Sequence, residues 1–272
     1  MRLLHFSDIH CGIFPSLQDA RFDKRWLGGF NHWLRRRAFQ DWSTLPRLAE
    51  HIQATKPDLV ICSGDLTSIG TPEEFALARN CLKPILEASD GHFLYVPGNH
   101  DCYLADSACQ QALSETYAAL NGAWNQLDEL PGLHRFGDIE IVCLQQCQPR
   151  PWYSSSGLMD EEQWQALRQM LDTPVQGIAR LGLGHFPFRG AHGNPLGAQR
   201  EFADWGQLLE CLRWGGVAAW LCGHIHRGFC RTEPEGVQVF CAGSLTLHRQ
   251  WIEIDIDSQG NCQGKLTQEK AR

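Results

Sequence analysis

Several common sequence features are missing from this chain of 272 residues. No apolar run approaches the roughly 20 residues that a membrane-spanning helix needs, and Met1 and Arg2 lead directly into a strand-like run instead of a secretory leader. No Ser/Gly-rich linker, internal repeat or low-complexity run divides the chain. We therefore expect a single domain over residues 1–272 and a cytoplasmic location.

Thiolate metal motifs are also missing, because the 12 cysteines form no C-x-x-C pair. Several of them lie in apolar runs, where a free cysteine behaves as a small hydrophobe, so we expect reduced thiols. The net charge is −7 and the pI about 5.9, which does not favour nucleic acid as a partner. Hydrophobic residues make up 43% of the chain, enough for a sizeable core.

Five short motifs rich in metal-ligand side chains occur in a fixed order, and each follows an apolar run that predicts a β-strand. The motifs are Asp8-Ile9-His10, Gly64-Asp65, Gly98-Asn99-His100-Asp101, Gly184-His185 and Gly223-His224-Ile225-His226. The strands are predicted at residues 2–6, 58–62, 92–96, 178–183 and 217–222. Parallel strands that end in ligands bring them to one edge of a sheet, where α/β folds bind ligands.

The ligand types indicate a site for two metal ions. Carboxylate, amide and imidazole groups suit Mn, Fe, Zn or Mg rather than a zinc ion held by thiolates. The two ions could be divalent or of mixed valence. The candidate ligands are Asp8, His10, Asp65, Asn99, His185, His224 and His226. They suffice for two ions if Asp65 bridges, since a carboxylate has two oxygens. His100 is then the motif histidine not needed for metal, and it is the candidate general acid.

The ordered motifs resemble those of the calcineurin-like metallophosphoesterase family, whose pattern runs D-x-H, GD, GNH(D/E), GH and GHxH. The resemblance extends from Asp8 to His226, and the ordered set is much more specific than any single motif. It implies one metal ion held by Asp8, His10, Asp65 and His226, and a second held by Asp65, Asn99, His185 and His224. It also implies attack of a metal-bridging hydroxide on a phosphate ester, with His100 protonating the leaving group.

One position departs from the family pattern. Many members carry a second Asp after GD and read GDLTD, whereas this chain has Ser68 at that position. In relatives the second Asp often supports the catalytic histidine, so the support of His100 is open here, with Asp101 as an alternative.

The loop after His185 carries three candidate substrate-binding residues. His192 lies in this Gly-rich loop, with Arg189 and Arg200 nearby. Such a loop could close over a substrate, and a plain solvated loop is the equal alternative. The other histidines outside the motifs are expected to be ordinary core or surface residues.

The order of the elements predicts the fold. Helix-like segments at 45–54, 72–88, 107–119, 160–171 and 204–214 alternate with the motif strands, and two late strands at 237–241 and 251–256 have no helix between them. This order favours two packed sheets with helices outside. It matches the fold that the resemblance implies, a four-layer αββα sandwich of two mixed β-sheets flanked by helices.

A basic aromatic insertion is predicted at about residues 20–42, directly after the first motif. It includes Arg21, Arg35, Arg36 and Arg37. If residues 29–40 are helical, Phe30, Trp33 and Leu34 share one face of the helix, opposite the arginines. The segment could be a cap or packing element, could contact an anionic membrane surface or lipid at the inner face of the membrane, or could bind a protein.

The sequence thus predicts a phosphoesterase with a small phosphorylated substrate, and a small phosphodiester such as a cyclic nucleotide is favoured. A pyrophosphatase acting on a nucleotide-diphospho lipid of the lipid A precursor type is the alternative that the insertion favours. A non-catalytic scaffold on the same fold is a third hypothesis. The presence of His100 and of every ligand argues against that scaffold.

Overall fold

The computed structural model describes residues 1–13, 39–122, 124, 126–151 and 153–270. The strands in these ranges are β1 Arg2–Phe6, β2 Leu59–Cys62, β3 Phe93–Tyr95, β4 Gly132–Phe136, β5 Ile139–Cys143, β6 Ala179–Leu183, β7 Val217–Cys222, β8 Phe229–Thr232, β9 Gln238–Cys241, β10 Gln250–Ile256 and β11 Cys262–Gln268. The α-helices are α1 Thr44–Thr55, α2 Pro72–Ala88, α3 Ser107–Asn121, α4 Glu161–Leu171, α5 Trp205–Trp214 and α6 Leu245–His248.

The strands form two mixed sheets. The first has the order β11-β10-β1-β2-β3, and the second has the order β4-β5-β6-β7-β9-β8. In the first sheet β1, β2 and β3 are parallel and β10 runs antiparallel to β1. In the second sheet β5, β6, β7 and β9 are parallel, and the two edge strands are antiparallel to their neighbours. The parallel strands of each sheet therefore end at one edge of that sheet.

Alternate residues of the second sheet belong to two different hydrophobic cores. Ile141 and Leu181 pack in the core that also contains Leu4 of the first sheet and residues of α1 and α2. Val142 and Trp220 pack in the other core, together with residues of α4 and α5. Because successive strand residues point to opposite faces, this pattern places the two sheets face to face with helices outside. The predicted four-layer αββα sandwich is confirmed.

Capping side chains mark the starts of two helices. Thr71 caps α2 by accepting a hydrogen bond from the backbone N–H of Glu74, and Pro72 occupies the first turn. Asp160 caps α4 in the same way through the N–H of Gln163. The predicted helix at 160–171 therefore begins one residue later, because Asp160 is its cap.

The predicted insertion lies mostly outside the described residues. Its proposed helix at 29–40 and its arginines and tryptophans fall almost wholly within residues 14–38, and its contact with a membrane stays a prediction from the sequence. At the described end of the insertion, Gln40 Nε2 donates to the carbonyls of Ile9 and His10, at 3.3 and 3.0 Å. Among the described residues, no helix is both long and apolar enough to cross a membrane.

A buried ion pair joins two strands of the second sheet. Arg180 Nε of β6 donates to Glu140 Oε2 of β5 at 2.9 Å, and Arg180 Nη1 donates to the carbonyl of Gly215 at 2.9 Å. Both charged side chains are almost completely buried. Without Arg180, the only described charge partner of the buried Glu140 would be the exposed Arg135, whose Nε lies 3.6 Å from Glu140 Oε1. Removing one partner of a buried pair is more costly than the loss of the pair itself.

Replacement of Arg180 by Met is therefore expected to lower the free energy of unfolding by about 3–5 kcal/mol. Denaturant-induced unfolding of the variant and the wild type measures this difference. Arg168→Met is the matched control, since Arg168 forms an exposed pair with Glu161 and should cost less than about 1 kcal/mol. Equal losses for the two variants would contradict the assignment of Arg180–Glu140 as the pair that matters for stability.

Candidate dinuclear metal centre

The five motifs follow the C-terminal ends of the parallel strands β1, β2, β3, β6 and β7. Backbone hydrogen bonds join the loops directly after these strands. The N–H of Asp8 donates to Gly64 O at 3.0 Å, and the N–H of Gly223 donates to His185 O at 2.9 Å. The N–H of His224, after β7 of the second sheet, also donates to Asp8 Oδ2, after β1 of the first sheet, at 3.1 Å. The ends of both sheets therefore meet at one place, as the order of the motifs predicts.

Left-handed backbone conformations are concentrated in the motifs. Among the described residues, eight that are not glycine have a positive φ, and five of these are predicted metal ligands. The five are Asp8, His10, Asp65, His224 and His226. Such conformations cost about 1–3 kcal/mol each and persist at functional sites that require them. The strained backbone conformations are therefore concentrated at the predicted metal ligands.

Two motif glycines permit a close approach that no other residue would allow. A Cβ atom at Gly98 would overlap the Asp65 carboxylate, and a Cβ atom at Gly223 would overlap Ser7 and the Asp8 carboxylate. The glycine before each ligand therefore lets another loop pack directly against it.

The first group of predicted ligands is assembled. One donor atom from each of Asp8, His10, Asp65 and His226 lies within 4.8 Å of all the others. His10 Nε2 lies 2.8 Å from His226 Nε2, and His226 Nε2 lies 3.3 Å from Asp8 Oδ1. These four residues form the set that the family resemblance assigns to one metal ion.

The second group is assembled beside the first. Asn99 Oδ1 lies 3.1 Å from His185 Nε2 and 2.9 Å from His224 Nδ1. His185 Nε2 also lies 3.4 Å from Asp65 Oδ2. The structure thus brings together all the predicted ligands in two groups that share Asp65.

Asp65 uses its two oxygens differently. Oδ1 accepts the backbone N–H of His100 at 2.8 Å. Oδ2 lies 3.6 Å from His10 Nε2 in the first group and 3.4 Å from His185 Nε2 in the second, so one oxygen reaches both groups. Asp65 Oδ2 and Asp8 Oδ1 are buried without a hydrogen-bond partner. Buried charged oxygens are costly unless a cation or donor compensates them, so this donor set fits two metal ions.

Backbone carbonyls orient three of the histidines. The ring atom Nδ1 of His10 is 3.2 Å from Thr67 O, and Nδ1 of His185 is 2.7 Å from Ser63 O. His224 Nε2 is 2.8 Å from the carbonyl of Arg200. A carbonyl only accepts, so each of these nitrogens carries a proton, and the other ring nitrogen of each histidine is the candidate ligand atom.

The electrostatics of the group favour cations. Burial alone would raise the pKa of Asp8, but the neighbouring imidazoles of His10 and His226 hold that pKa well below its ordinary value. Burial lowers the pKa of His224 to about 3, so its ring is neutral. Burial would also lower the pKa of His185, but the charge of Asp65 raises it to about 10. A proton on His185 therefore competes with a metal ion, and metal binding should release it.

A backbone carbonyl holds the ring of His100. Its Nδ1 lies 2.6 Å from Ser68 O, and its ring stacks in parallel on Tyr103 with centroids 5.9 Å apart. The alternative support, Asp101, accepts hydrogen bonds from Tyr95 Oη at 2.8 Å and from the N–H groups of residues 66, 67 and 98. Ser68 therefore holds His100 through its main chain.

The three candidate substrate-binding residues occupy different positions. Arg189 pairs with the buried Glu233 and with Glu235, and its guanidinium lies over the ring of Trp205 at 4.5 Å. The structure therefore does not bring this charge to the metal ligands. The side chains of His192 and Arg200 are exposed, and only Arg200 contacts the centre, through its carbonyl.

Two buried residues of the site have no motif that would reveal them in the sequence. Gln146 Oε1 accepts the N–H groups of His185 and Phe186 at 2.8 and 3.0 Å and so fixes the backbone of a ligand. Glu74 Oε2 accepts three N–H groups of the loop that contains Ser68. The sequence signal for Glu74 is its place in the first turn of α2, which predicts only helix capping.

The fold and the arrangement of these side chains agree with the family that the motifs resemble. The sequence model of the calcineurin-like phosphoesterases matches residues 1–228. The chain belongs to the calcineurin-like phosphoesterase family.

The chain is also similar in sequence to individual curated proteins. The chain is 27% identical over 204 residues to a probable cyclic nucleotide phosphodiesterase of Rhodococcus erythropolis, covering 75% of this chain and 62% of the relative. It is 48% identical over 46 residues to a probable glycerophosphodiester phosphodiesterase of Arcobacter nitrofigilis, covering 17% of this chain and 15% of the relative. The chain thus spans less than two thirds of the length of these curated relatives.

A solved structure has the same fold. The dimetal phosphatase from Danio rerio aligns with a TM-score of 0.57 and 13% identity, over 97% of this chain and 98% of that one. This likeness supports the arrangement of the sheets.

Proposed function

We propose that the chain is a dinuclear metal-dependent phosphodiesterase that hydrolyses a small phosphodiester such as a cyclic nucleotide. The observation that carries the proposal is the position of Asp65 Oδ2, which lies 3.6 Å from His10 Nε2 of the first ligand group and 3.4 Å from His185 Nε2 of the second. Two bound ions would supply hydroxide at neutral pH and would compensate the charge of phosphoryl oxygens.

The chain's own residues prepare the site for this reaction. Asp8 and Asp65 hold their negative charges in a buried position, and the backbone carbonyls fix the histidine tautomers. His100 is half-buried, and because its Nδ1 donates to Ser68 O, its Nε2 is the atom that transfers a proton to the leaving alcohol. His100 thus acts as the general acid.

The choice of a diester rests on the relatives, both of which are named as phosphodiesterases. The alternative substrate, a nucleotide-diphospho lipid, rests on the basic aromatic insertion, whose arginines lie outside the described residues. Arg200 and His192 are the exposed side chains that we propose for contact with the substrate, since Arg189 is paired with Glu233 and Glu235.

A hydrolysis panel with the Mn²⁺-loaded protein tests the proposal. The panel contains a cyclic nucleotide, a glycerophosphodiester, an aryl diester, an aryl monoester and a nucleotide-diphospho lipid. The expected result is the highest kcat/KM on a small diester, with activity lost on chelation and restored by metal. Turnover of the lipid substrate alone would establish the alternative. Hydrolysis of none of these by the metal-loaded protein would favour the scaffold hypothesis.

A further inference from the structure

One loop orients several of the motif histidines. Residues 63–70, which we call the hub loop, follow β2 and present backbone carbonyls to three rings. Ser63 O accepts from His185, Thr67 O is close to His10 Nδ1, and Ser68 O accepts from His100. The contact with His100 is the shortest of the three, at 2.6 Å. The conformation of the hub loop therefore determines how these histidines are held.

Two buried carboxylates hold the hub loop from different sides. Asp101 accepts the N–H groups of residues 66 and 67. Glu74 accepts the next three N–H groups on a single oxygen, from Ser68 at 3.1 Å, Ile69 at 2.7 Å and Gly70 at 3.1 Å. Its other oxygen accepts the N–H of Ile13 at 3.1 Å, and the residue is only 1% exposed.

Helix capping does not explain the position of Glu74. In a capping box the residue at the third helical position reaches back to the N–H of the cap, which here is Thr71. The Glu74 carboxylate instead extends past Thr71 to the three residues before it. It binds the part of the hub loop that contacts His100.

The shortest Glu74 contact and the His100 contact belong to the same peptide group. The N–H of Ile69 and the C=O of Ser68 are part of one planar unit, and in a trans peptide they point in opposite directions. Glu74 accepts from one end of this unit at 2.7 Å, and His100 Nδ1 donates to the other end at 2.6 Å. Hydrogen bonds in such a chain polarise one another, so a carboxylate at one end makes the carbonyl a better acceptor.

We propose that Glu74 is the positioning residue for His100 and acts on it through the Ser68–Ile69 peptide group. Glu74 thereby supports His100 in a chain that has Ser68 where many members of the family have a second Asp. The inference rests on the proposed function, because it assigns Glu74 to the support of the proposed general acid.

The test compares Glu74→Gln with Glu73→Gln. Glutamine keeps the volume of Glu74 but replaces one acceptor oxygen with a donor, so it cannot serve both Ile13 and the hub loop. Glu73 lies in the same helical turn with an exposed side chain and is the matched control. Glu74→Gln should keep both metal ions and its KM while kcat falls by about 10²-fold on a diester with a poor leaving group, as misplaced catalytic groups commonly cost. An activated aryl diester and the Glu73→Gln variant should be nearly unaffected.

Two further measurements separate positioning from general damage. In the His100→Ala background, Glu74→Gln should cause no additional loss of kcat, because its target is gone. In the zinc-loaded protein, the strongly hydrogen-bonded His100 Nδ1 proton should give a downfield NMR signal that moves upfield in Glu74→Gln and stays in place in Glu73→Gln.

Several results would overturn the positioning role. These are equal losses of kcat on good and poor leaving groups, loss of metal, a further loss in the His100→Ala background, or an unmoved proton signal. If neither Gln nor Asp at position 74 gives a folded protein, the carboxylate serves folding and the role is rejected. Failure of the proposed function would be seen without any Glu74 variant. The wild-type protein would then lack phosphodiesterase activity, or the loss of kcat in His100→Ala would not depend on the leaving group.

Discussion

Replacement of Asp65 by Ala is expected to remove both metal ions and to abolish hydrolysis. Asp65 Oδ2 lies near both His10 Nε2 and His185 Nε2, and it is buried without a hydrogen-bond partner. Neither ligand group is complete without it. Metal analysis of the purified variant, together with kcat on an aryl diester, measures the effect.

Asn99→Ala is the matched comparison for Asp65. Asn99 Oδ1 contacts His185 and His224 of the second ligand group only. This variant should bind the ion of the second group more weakly, as is typical when a ligand contact is lost, and should keep the ion of the first group. If Asp65→Ala and Asn99→Ala each lose one ion to the same extent, Asp65 does not bridge.

Replacement of His100 by Ala is expected to keep both metal ions while kcat falls by about 10²–10⁴-fold on diesters with poor leaving groups. The ring donates from Nδ1 to Ser68 O, and Nε2 is the atom to which we assign the proton transfer. An activated aryl ester needs little protonation and should lose much less. The dependence of kcat on the pKa of the leaving alcohol, in wild type and variant, measures this difference.

His51→Ala is the control for His100→Ala. His51 is a partly exposed histidine of α1 that pairs with Glu253, away from the motif loops, so its replacement should leave kcat unchanged. Metal loss in His100→Ala would identify the residue as a ligand. An equal loss of kcat for all leaving groups would remove the general-acid role.

The elements that carry the site could be predicted from the sequence. β1 and β7 have the predicted bounds, as does α2. Buried parallel strands appear as continuous apolar runs, and each motif glycine marks a close approach of two loops, as Gly98 does at Asp65. These local signals are strong because backbone geometry demands specific residue types there.

The outer parts of the sheets gave weaker signals. β8 and β11 are edge strands with alternating exposed residues and polar side chains, and neither was predicted. β4 is also an edge strand with exposed positions. Edge strands have one face or one side in contact with water, so their composition approaches that of loops.

The support of His100 could not be predicted because it runs through the main chain. The sequence offered Asp101 as the substitute for the missing carboxylate, since Asp101 is adjacent to His100. The structure uses Asp101 for the N–H groups of residues 66 and 67 and gives His100 the carbonyl of Ser68. Every residue has a carbonyl, so no residue type marks the one that accepts this hydrogen bond.

The most direct test of the proposed dinuclear site is a Mn²⁺ titration of the chelator-treated wild-type protein, with bound metal and aryl diester hydrolysis measured on the same samples. We expect two ions bound per chain and hydrolysis that appears as the pair of sites fills, since Asp65 Oδ2 serves both ligand groups. Saturation at one ion per chain, or hydrolysis that does not depend on bound metal, would contradict the account.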